Sequence, residues 1–315
     1  MDDLLTYADV VAASDRIAPY VHRTPILRSA FFDALFDAEV YFKCEHLQRI
    51  GAFKARGATN AVLMLDDASA ARGVVTHSSG NHAQALAWAA SRRGITATIV
   101  MPHTTPQVKV DAVKSYGGLI VFCEPTLSAR EQAVADIVAQ TGAHEVHPSN
   151  DLRVIAGQGT AALELLQDVP NLDVLMAPVG GGGLMAGCAL AARTLLPSMT
   201  VYGAEPETAA DAAESLATGV LQPPPNTSTI ADGLRTALGT NTFALLQSLN
   251  VGILTASEAS IRQCFRHVLE RMKQLVEPSA TVTLGALMER PGIVAGKRVG
   301  IILCGGNVDV DRLPL

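Results

Sequence analysis

Four consecutive glycines, Gly180-Gly181-Gly182-Gly183, separate the apolar run Asp173-Val174-Leu175-Met176-Ala177 from an amphipathic stretch at 184–196. A strand-to-helix turn of this composition leaves backbone N–H groups free to converge on an anion, and the start of the following helix adds partial positive charge. A flexible turn would account for one or two glycines. Four carry an entropic cost that a plain turn does not require, so a phosphate cradle is the better reading. The run is neither GxGxxG nor GxxxxGK followed by Ser or Thr, which weakens dinucleotide and P-loop alternatives.

Three further segments hold reactive or ligand-binding residue types. Lys54 follows Phe53 at a helix start among small residues, in Gly51-Ala52-Phe53-Lys54-Ala55-Arg56-Gly57-Ala58. Loss of water around such a lysine lowers its pKa and makes the amine nucleophilic, although taken by itself Lys54 reads as an ordinary solvated lysine. In Thr76-His77-Ser78-Ser79-Gly80-Asn81-His82 a strand runs into a helix through hydroxyls, an amide and open N–H groups. That arrangement suits a carboxylate, and it equally suits a plain N-cap at Ser79 or Asn81. Finally, Leu303-Cys304-Gly305-Gly306-Asn307 closes the last apolar run. A residue ending a parallel strand faces the ligand edge of the sheet, whereas a lone Cys is more often a small buried hydrophobe.

These segments need elements to hold them. Apolar, β-branched runs at 74–76, 97–101, 119–122, 173–177, 200–204 and 298–303 alternate with helical patterns at 81–93, 106–116, 128–141, 157–168, 184–196 and 257–275. Continuously apolar strands separated by helices are what a parallel sheet covered on both faces requires, so the fold class is α/β. Residues 72–148, between the Asp66-Asp67-Ala68-Ser69 break and His147-Pro148-Ser149-Asn150, hold a compact set of alternations. They read as a small mobile domain inserted between 1–71 and 149–315, which together form a larger one. The stretch Leu221-Gln222-Pro223-Pro224-Pro225-Asn226-Thr227 cannot sit in a helix interior.

Composition narrows the function classes. With 315 residues, 49% hydrophobic and only 17% charged, the chain can bury a large core and long disordered tracts are not expected. Its 24 Lys+Arg against 30 Asp+Glu give a net charge of −6, without the basic face that a nucleic-acid partner requires. Apolar runs stop short of the ~18 residues of a membrane span. The start, Met1-Asp2-Asp3, is acidic where a signal peptide is basic. Cys44, Cys123, Cys188, Cys264 and Cys304 are widely spaced and form no CxxC pair, which fits a reduced, cytoplasmic chain.

Together and in this order, the four segments resemble the fold-type II pyridoxal 5′-phosphate (PLP) enzymes, and more narrowly the serine racemase and threonine/serine dehydratase group. The likeness runs over nearly the whole chain and includes Phe42-Lys43-Cys44-Glu45, Gly157-Gln158-Gly159-Thr160, Ala204-Glu205-Pro206, Ile230-Ala231-Asp232-Gly233, Arg271-Met272-Lys273 and Glu277-Pro278. It implies two parallel-type αβα domains of the tryptophan synthase β kind. It also implies that Lys54 forms the Schiff base with PLP, that Phe53 covers one ring face, that Gly180, Gly181, Gly182 and Gly183 bind the phosphate, and that Asn81 binds the 3′-oxygen. Cys304 falls where the family sets a neutral Ser, Thr or Cys beside the pyridine nitrogen. Such a partner leaves the nitrogen largely unprotonated and favours prompt loss of a β-substituent. Ser78, Ser79, Asn81 and His82 match residues that hold the substrate carboxylate. Lys54 matches the base that removes the α-proton, and Ser79 the acid/base on the opposite face that racemisation needs in addition.

The same resemblance implies a divalent-cation site at Glu205, the carbonyl of Ala209 and Asp211, oxygen donors suited to Mg²⁺, Mn²⁺ or Ca²⁺. Unaided, Glu205 and Asp211 would be read as a solvated pair. An amino-acid substrate and a homodimer are implied as well. Ala52 and Ile50 depart from the family's Ser and Thr close to where racemases dock an activating nucleotide, which counts against ATP activation, while Gln84, Tyr116, Lys273 and Asn307 are retained. The chain stops at Leu315 without a segment resembling the regulatory domain of biosynthetic threonine dehydratases, so isoleucine feedback is not expected. The implied activity is dehydration of L-threonine or L-serine to a 2-oxo acid and ammonia, with serine racemisation as a further or main activity. Dehydration of 3-hydroxyaspartate is an alternative that needs an extra cation, for which Arg130 and Arg235 are the candidates. A PLP or amino-acid sensor without turnover would have little need of the Lys54 amine.

Overall fold

In the computed structural model, which describes residues 5–223 and 228–313, the apolar runs become strands of two separate sheets. Residues 1–3, 224–227 and 315, invoked above, lie outside the described residues. The chain begins α1 (Tyr7–Ile17), β1 (Ile26–Leu27), α2 (Ala30–Phe36), β2 (Glu39–Lys43), α3 (Lys54–Leu63) and α4 (Asp67–Ala71). It continues β3 (Val74–His77), α5 (Asn81–Arg93), β4 (Ala97–Pro102), α6 (Gln107–Ser115), β5 (Leu119–Cys123), α7 (Leu127–Thr141) and β6 (His144–Glu145). There follow α8 (Leu152–Asp168), β7 (Val174–Pro178), α9 (Gly183–Leu195), β8 (Thr200–Pro206) and α10 (Asp211–Thr218). The last elements are α11 (Thr240–Ser248), β9 (Gly252–Ala256), α12 (Glu258–His267), α13 (Val282–Glu289) and β10 (Arg298–Ile302).

One sheet has the order β1-β2-β10-β7-β8-β9, parallel except for β1. The other, β5-β4-β3-β6, is parallel throughout. Strand β7 is buried at every position, which explains its unbroken apolar sequence. Helix α8 packs against both α9 and α3. That approach requires glycine: a Cβ on Gly187 would lie 2.3 Å from the Ile155 carbonyl oxygen, and one on Gly157 would lie 2.6 Å from the Cα of Gly57. The larger sheet's core gathers around Phe32, Phe42, Leu175, Met176 and Ile301. The smaller sheet's core joins Val74, Leu86, Ile99 and Met101 to Ala55, Ala58, Ala61 and Val62 of α3. Helix α3, which begins with Lys54, is thus packed on both bodies of the protein.

The elements depart from the sequence pattern in three places. The helix expected over 257–275 stops at His267, a π turn (Val268–Met272) follows, and Lys273 takes a left-handed conformation with φ 58°. The helix expected from residue 157 already starts at Leu152, because the Asp151 carboxylate accepts the Arg153 N–H and caps it there. Strands β1, β2, β6 and β9 lie outside the apolar runs singled out in the sequence. Two of them have only two residues each, β2 alternates buried with less buried positions, and β9 is a partly exposed edge. Among the described residues no helix is long and apolar enough to cross a membrane.

Candidate active site

The four chemical segments all follow the carboxyl ends of parallel strands. Strand β2 leads through residues 44–53 to Lys54, β3 to 78–80, β7 to the glycine run and β10 to Cys304. Ligands bind at that edge in open α/β sheets. The Lys54 ammonium donates to the Pro148 carbonyl at 2.6 Å and lies 5.2 Å from the centroid of the Phe53 ring. Burial lowers the Lys54 pKa to about 8, against the opposing pull of Cys304 and Glu277. Desolvation wins here, as a nucleophilic amine requires. The loop that delivers Lys54 is laced to the loop after β10: the Phe53 N–H donates to the Cys304 carbonyl and the Gly306 N–H to the Gly51 carbonyl, each at 2.9 Å. Within it, Ile50 holds a left-handed conformation (φ 57°) that is strained for a β-branched residue. The Asn307 amide secures it by donating to the Ile50 carbonyl at 2.7 Å.

At the glycine run, no backbone N–H of residues 180–183 donates a hydrogen bond to another of the described residues. Gly182 has φ 80°, and a Cβ on Gly181 would fall 2.2 Å from the Ser149 hydroxyl oxygen. Unsatisfied donors opening a 13-residue helix fit a phosphate group. After β3, the N–H groups of Ser79, Asn81 and His82 are likewise without acceptors among the described residues, while the Ser78 hydroxyl accepts from the Gly80 N–H at 3.3 Å. The buried His82 ring donates Nε2–H to the Val146 carbonyl (3.0 Å), so its Nδ1 is an acceptor, and one without a partner. Burial, reinforced by Lys54, holds that ring neutral. His82 can therefore offer a carboxylate its backbone N–H. The neighbouring His147, pushed down to about 4 chiefly by burial, accepts the N–H groups of Ser149 (3.2 Å) and Asn150 (2.9 Å) on Nδ1. This fixes the turn that presents Pro148 to Lys54 and Ser149 to the glycine run.

Cys304 is buried with its Sγ 3.7 Å from Glu277 Oε1. Asn81 Nδ2 donates to both Glu277 oxygens (3.0 and 3.2 Å), and Asn81 Oδ1 accepts from Asn307 Nδ2 at 2.9 Å. The two oxygens of one carboxylate lie in nearly the same direction from Nδ2 and share one N–H, which leaves the other amide hydrogen of Asn81 for a ligand. Glu277, Pro148 and Ser149 join the site without being expected there. The sequence marks Glu277 only through the Glu277-Pro278 match, and Pro148 and Ser149 only as part of a break between elements.

Arg130 lies in the first turn of α7 at the same edge, where burial and then the charge of Arg130 lower the His77 pKa. Arg235 is exposed, with its guanidinium engaged by the Thr229 carbonyl. Glu205, the penultimate residue of β8, accepts the N–H groups of Ala213 (2.8 Å) and Ala212 (3.2 Å) in α10. Burial raises Glu205 to about 8 and Asp211 to about 6, and Asp211 Oδ2 is buried without a partner. Two uncompensated carboxylates with an orphan oxygen fit a hard cation. Among the described residues no cluster of three or more His, Cys, Asp or Glu forms, so these two side chains alone do not make a metal cage.

Two α/β bodies whose strand carboxyl ends meet at a desolvated lysine beside a phenylalanine, with a glycine run open to a phosphate, have the build of a fold-type II PLP enzyme. Residues 17–305 match the family described as pyridoxal-phosphate dependent enzyme, and the chain belongs to it. It is 48% identical over 309 residues to a β-hydroxyaspartate dehydratase of Paracoccus denitrificans, covering 98% of each chain. A serine racemase of Arabidopsis thaliana is 46% identical over 314 residues, covering 97% of this chain and 95% of the relative. The crystal structure of serine racemase from Dictyostelium discoideum superposes with a TM-score of 0.94 at 43% identity, covering 98% of this chain and 100% of that one.

Proposed function

We propose that the protein dehydrates β-hydroxy amino acids, L-threonine and L-serine first, to a 2-oxo acid and ammonia. One observation carries this reading: the residue just beyond the last strand, beside Glu277 and near the desolvated Lys54, is a buried neutral thiol, Cys304, where a carboxylate against the ring nitrogen would favour other chemistry. Bound PLP supplies a sink for negative charge at the substrate α-carbon. Lys54 takes the α-proton from one face. The glycine-run N–H groups hold the cofactor phosphate, Asn81 its 3′-oxygen, and Phe53 covers its ring. The N–H groups at Ser79, Asn81 and His82, with the Ser78 hydroxyl, hold the substrate carboxylate. Cys304, a neutral residue, would leave the ring nitrogen largely unprotonated, so that charge at the α-carbon would be relieved by departure of the β-hydroxyl. Ser79 returns a proton from the opposite face, which adds serine racemisation.

Glu205, Asp211 and the Ala209 carbonyl bind Mg²⁺, Mn²⁺ or Ca²⁺ in this reading. Residues 72–148 close as a small unit on the remainder (1–71 and 149–315), and the Lys109–Asp232 ion pair at 2.9 Å, joining α6 to the turn before α11, supports such a closure. The protein acts as a cytoplasmic homodimer, and the changes at Ala52 and Ile50 argue against ATP as its activator. A second substrate has separate support. Arg130 is close enough to His77 for its charge to act there and could supply the cation that a β-carboxylate needs, and the Paracoccus relative is named for β-hydroxyaspartate. Incubating the PLP-loaded protein with L-serine, L-threonine and L-threo-3-hydroxyaspartate, with oxo acid and D-amino acid assayed separately, ranks these activities. Ser79→Ala is expected to abolish D-serine formation and spare elimination from the L-isomer; equal loss of both would count against the two-face account.

A further inference from the structure

Glu277 is a buried carboxylate at the site, 5% exposed, that the proposed reaction leaves without a role. Its position is tightly defined: a Cβ on Gly305 would lie 2.8 Å from Oε2, and the Asn81 amide holds both oxygens. Its Oε1 is also the acceptor that Cys304 Sγ reaches at 3.7 Å. A thiol has one hydrogen. Directed at Glu277, it leaves a sulfur lone pair for whatever lies on the other side of Cys304; directed away, it is donated there.

We propose that Glu277 is a positioning residue that decides which way the Cys304 thiol proton points, and so whether the ring nitrogen of the bound cofactor receives a hydrogen bond. The inference rests on the reading that Cys304 flanks that nitrogen. When Glu277 is ionised it accepts the S–H, and the ring nitrogen faces a lone pair. When Glu277 is protonated, its O–H is donated to the sulfur and the S–H turns to the ring nitrogen. Only the carboxyl gains or loses a proton, exchanged with solvent, and the sulfur keeps its own. Burial, with Asp232 adding to it, raises Glu277 to about 7, opposed by the Asn81 amide, Cys304 and the Lys109 ammonium. Lys54 is the other charge that faces it. The reorientation therefore falls near neutral pH.

The test is to load the protein with PLP labelled with nitrogen-15 in the ring, and to follow that resonance and the visible absorption on both sides of neutrality. A transition with a midpoint near pH 7 is expected in the wild type. It should vanish in Glu277→Gln and in Cys304→Ala while the cofactor stays bound. A flat response in the wild type overturns the proposal without recourse to any variant, as does an unchanged midpoint in Glu277→Gln. If Cys304→Ala leaves the nitrogen resonance unmoved at every pH, Cys304 does not face the ring and the underlying reading fails. If Cys304→Ala moves the resonance but keeps the transition, only the role of Glu277 fails.

Discussion

Lys54 and Arg56 stand two residues apart on α3, and the protein buries their charges in opposite ways. Below the helix, Arg56 meets Glu45 (2.7 Å) and Glu164 (2.7 Å), and Lys43 meets Glu164 at 2.6 Å. Two cations face two anions, with Thr24 donating to Glu45 at 2.6 Å. Burial alone would raise Glu45, but Arg56 and Lys43 outweigh it and hold its pKa below 4.5. Above the helix, Lys54 has a carbonyl partner and Glu277 an amide and a thiol, so burial prevails and pushes both toward their neutral forms. Paired buried charge is costly to break by removing one partner. Unpaired buried charge stores proton-transfer capacity. The contrast separates scaffold from chemistry on one element.

Breaking the upper half should give the largest effect. Lys54→Ala is expected to lower turnover by at least ~10³-fold and to remove the visible absorption of the holoenzyme, with little change in the urea midpoint. Breaking the lower half should do the reverse. Arg56→Leu leaves Glu45 and Glu164 buried without a counter-charge and should destabilise the fold by ~3–5 kcal/mol in urea titrations. A loss below ~1 kcal/mol would mean the cluster is hydrated and the contrast misplaced.

The two halves should also respond oppositely to pH. Glu45 titrates lower in the folded protein than in the unfolded chain, so its contribution is present above pH 4.5 and is lost as pH falls through its depressed value. Glu277 titrates at about 7 rather than 4.5, so the cofactor-free protein binds more protons folded than unfolded and loses stability as pH rises between those values. The full difference is on the order of 3 kcal/mol. Urea midpoints of wild type and Glu277→Gln across this range check it, and Glu277→Gln should flatten the slope.

The smallest effect sharpens the contrast at a third place. Glu205 and Asp211 are buried without a counter-charge and should gain one from solution. Added Mg²⁺, Mn²⁺ or Ca²⁺ is expected to raise the melting temperature by a few degrees, and Asp211→Asn should abolish the rise. An equal rise in that variant assigns the cation elsewhere.

Much of the site was legible because its parts are contiguous. The glycine run, the Lys54 segment, 76–82 and 303–307 each occupy one strand end, where the period changes from strand to helix and the turn residues announce themselves. Pairings over long sequence distances were not legible. Asn81 and Glu277 are 196 residues apart, and Lys43 and Glu164 are 121 apart. Nothing local distinguishes these glutamates from the other members of the 30 Asp and Glu. Likewise Pro148 and Ser149 read as a break, because a turn's residue types show that the chain bends and not which carbonyl it then presents. Strand β2 is hidden for a related reason: its exposed end carries Glu39, and its alternation erases the unbroken signal that marks a doubly covered strand.

Release of 2-oxo acid and ammonia from the PLP-loaded protein, offered L-serine, L-threonine or L-threo-3-hydroxyaspartate in parallel with Lys54→Ala, tests turnover at Lys54 most directly. Equimolar oxo acid and ammonia from at least one substrate, absent from a variant that keeps the wild-type urea midpoint, is the predicted result. No release from any of the three, or release undiminished in Lys54→Ala, would contradict it.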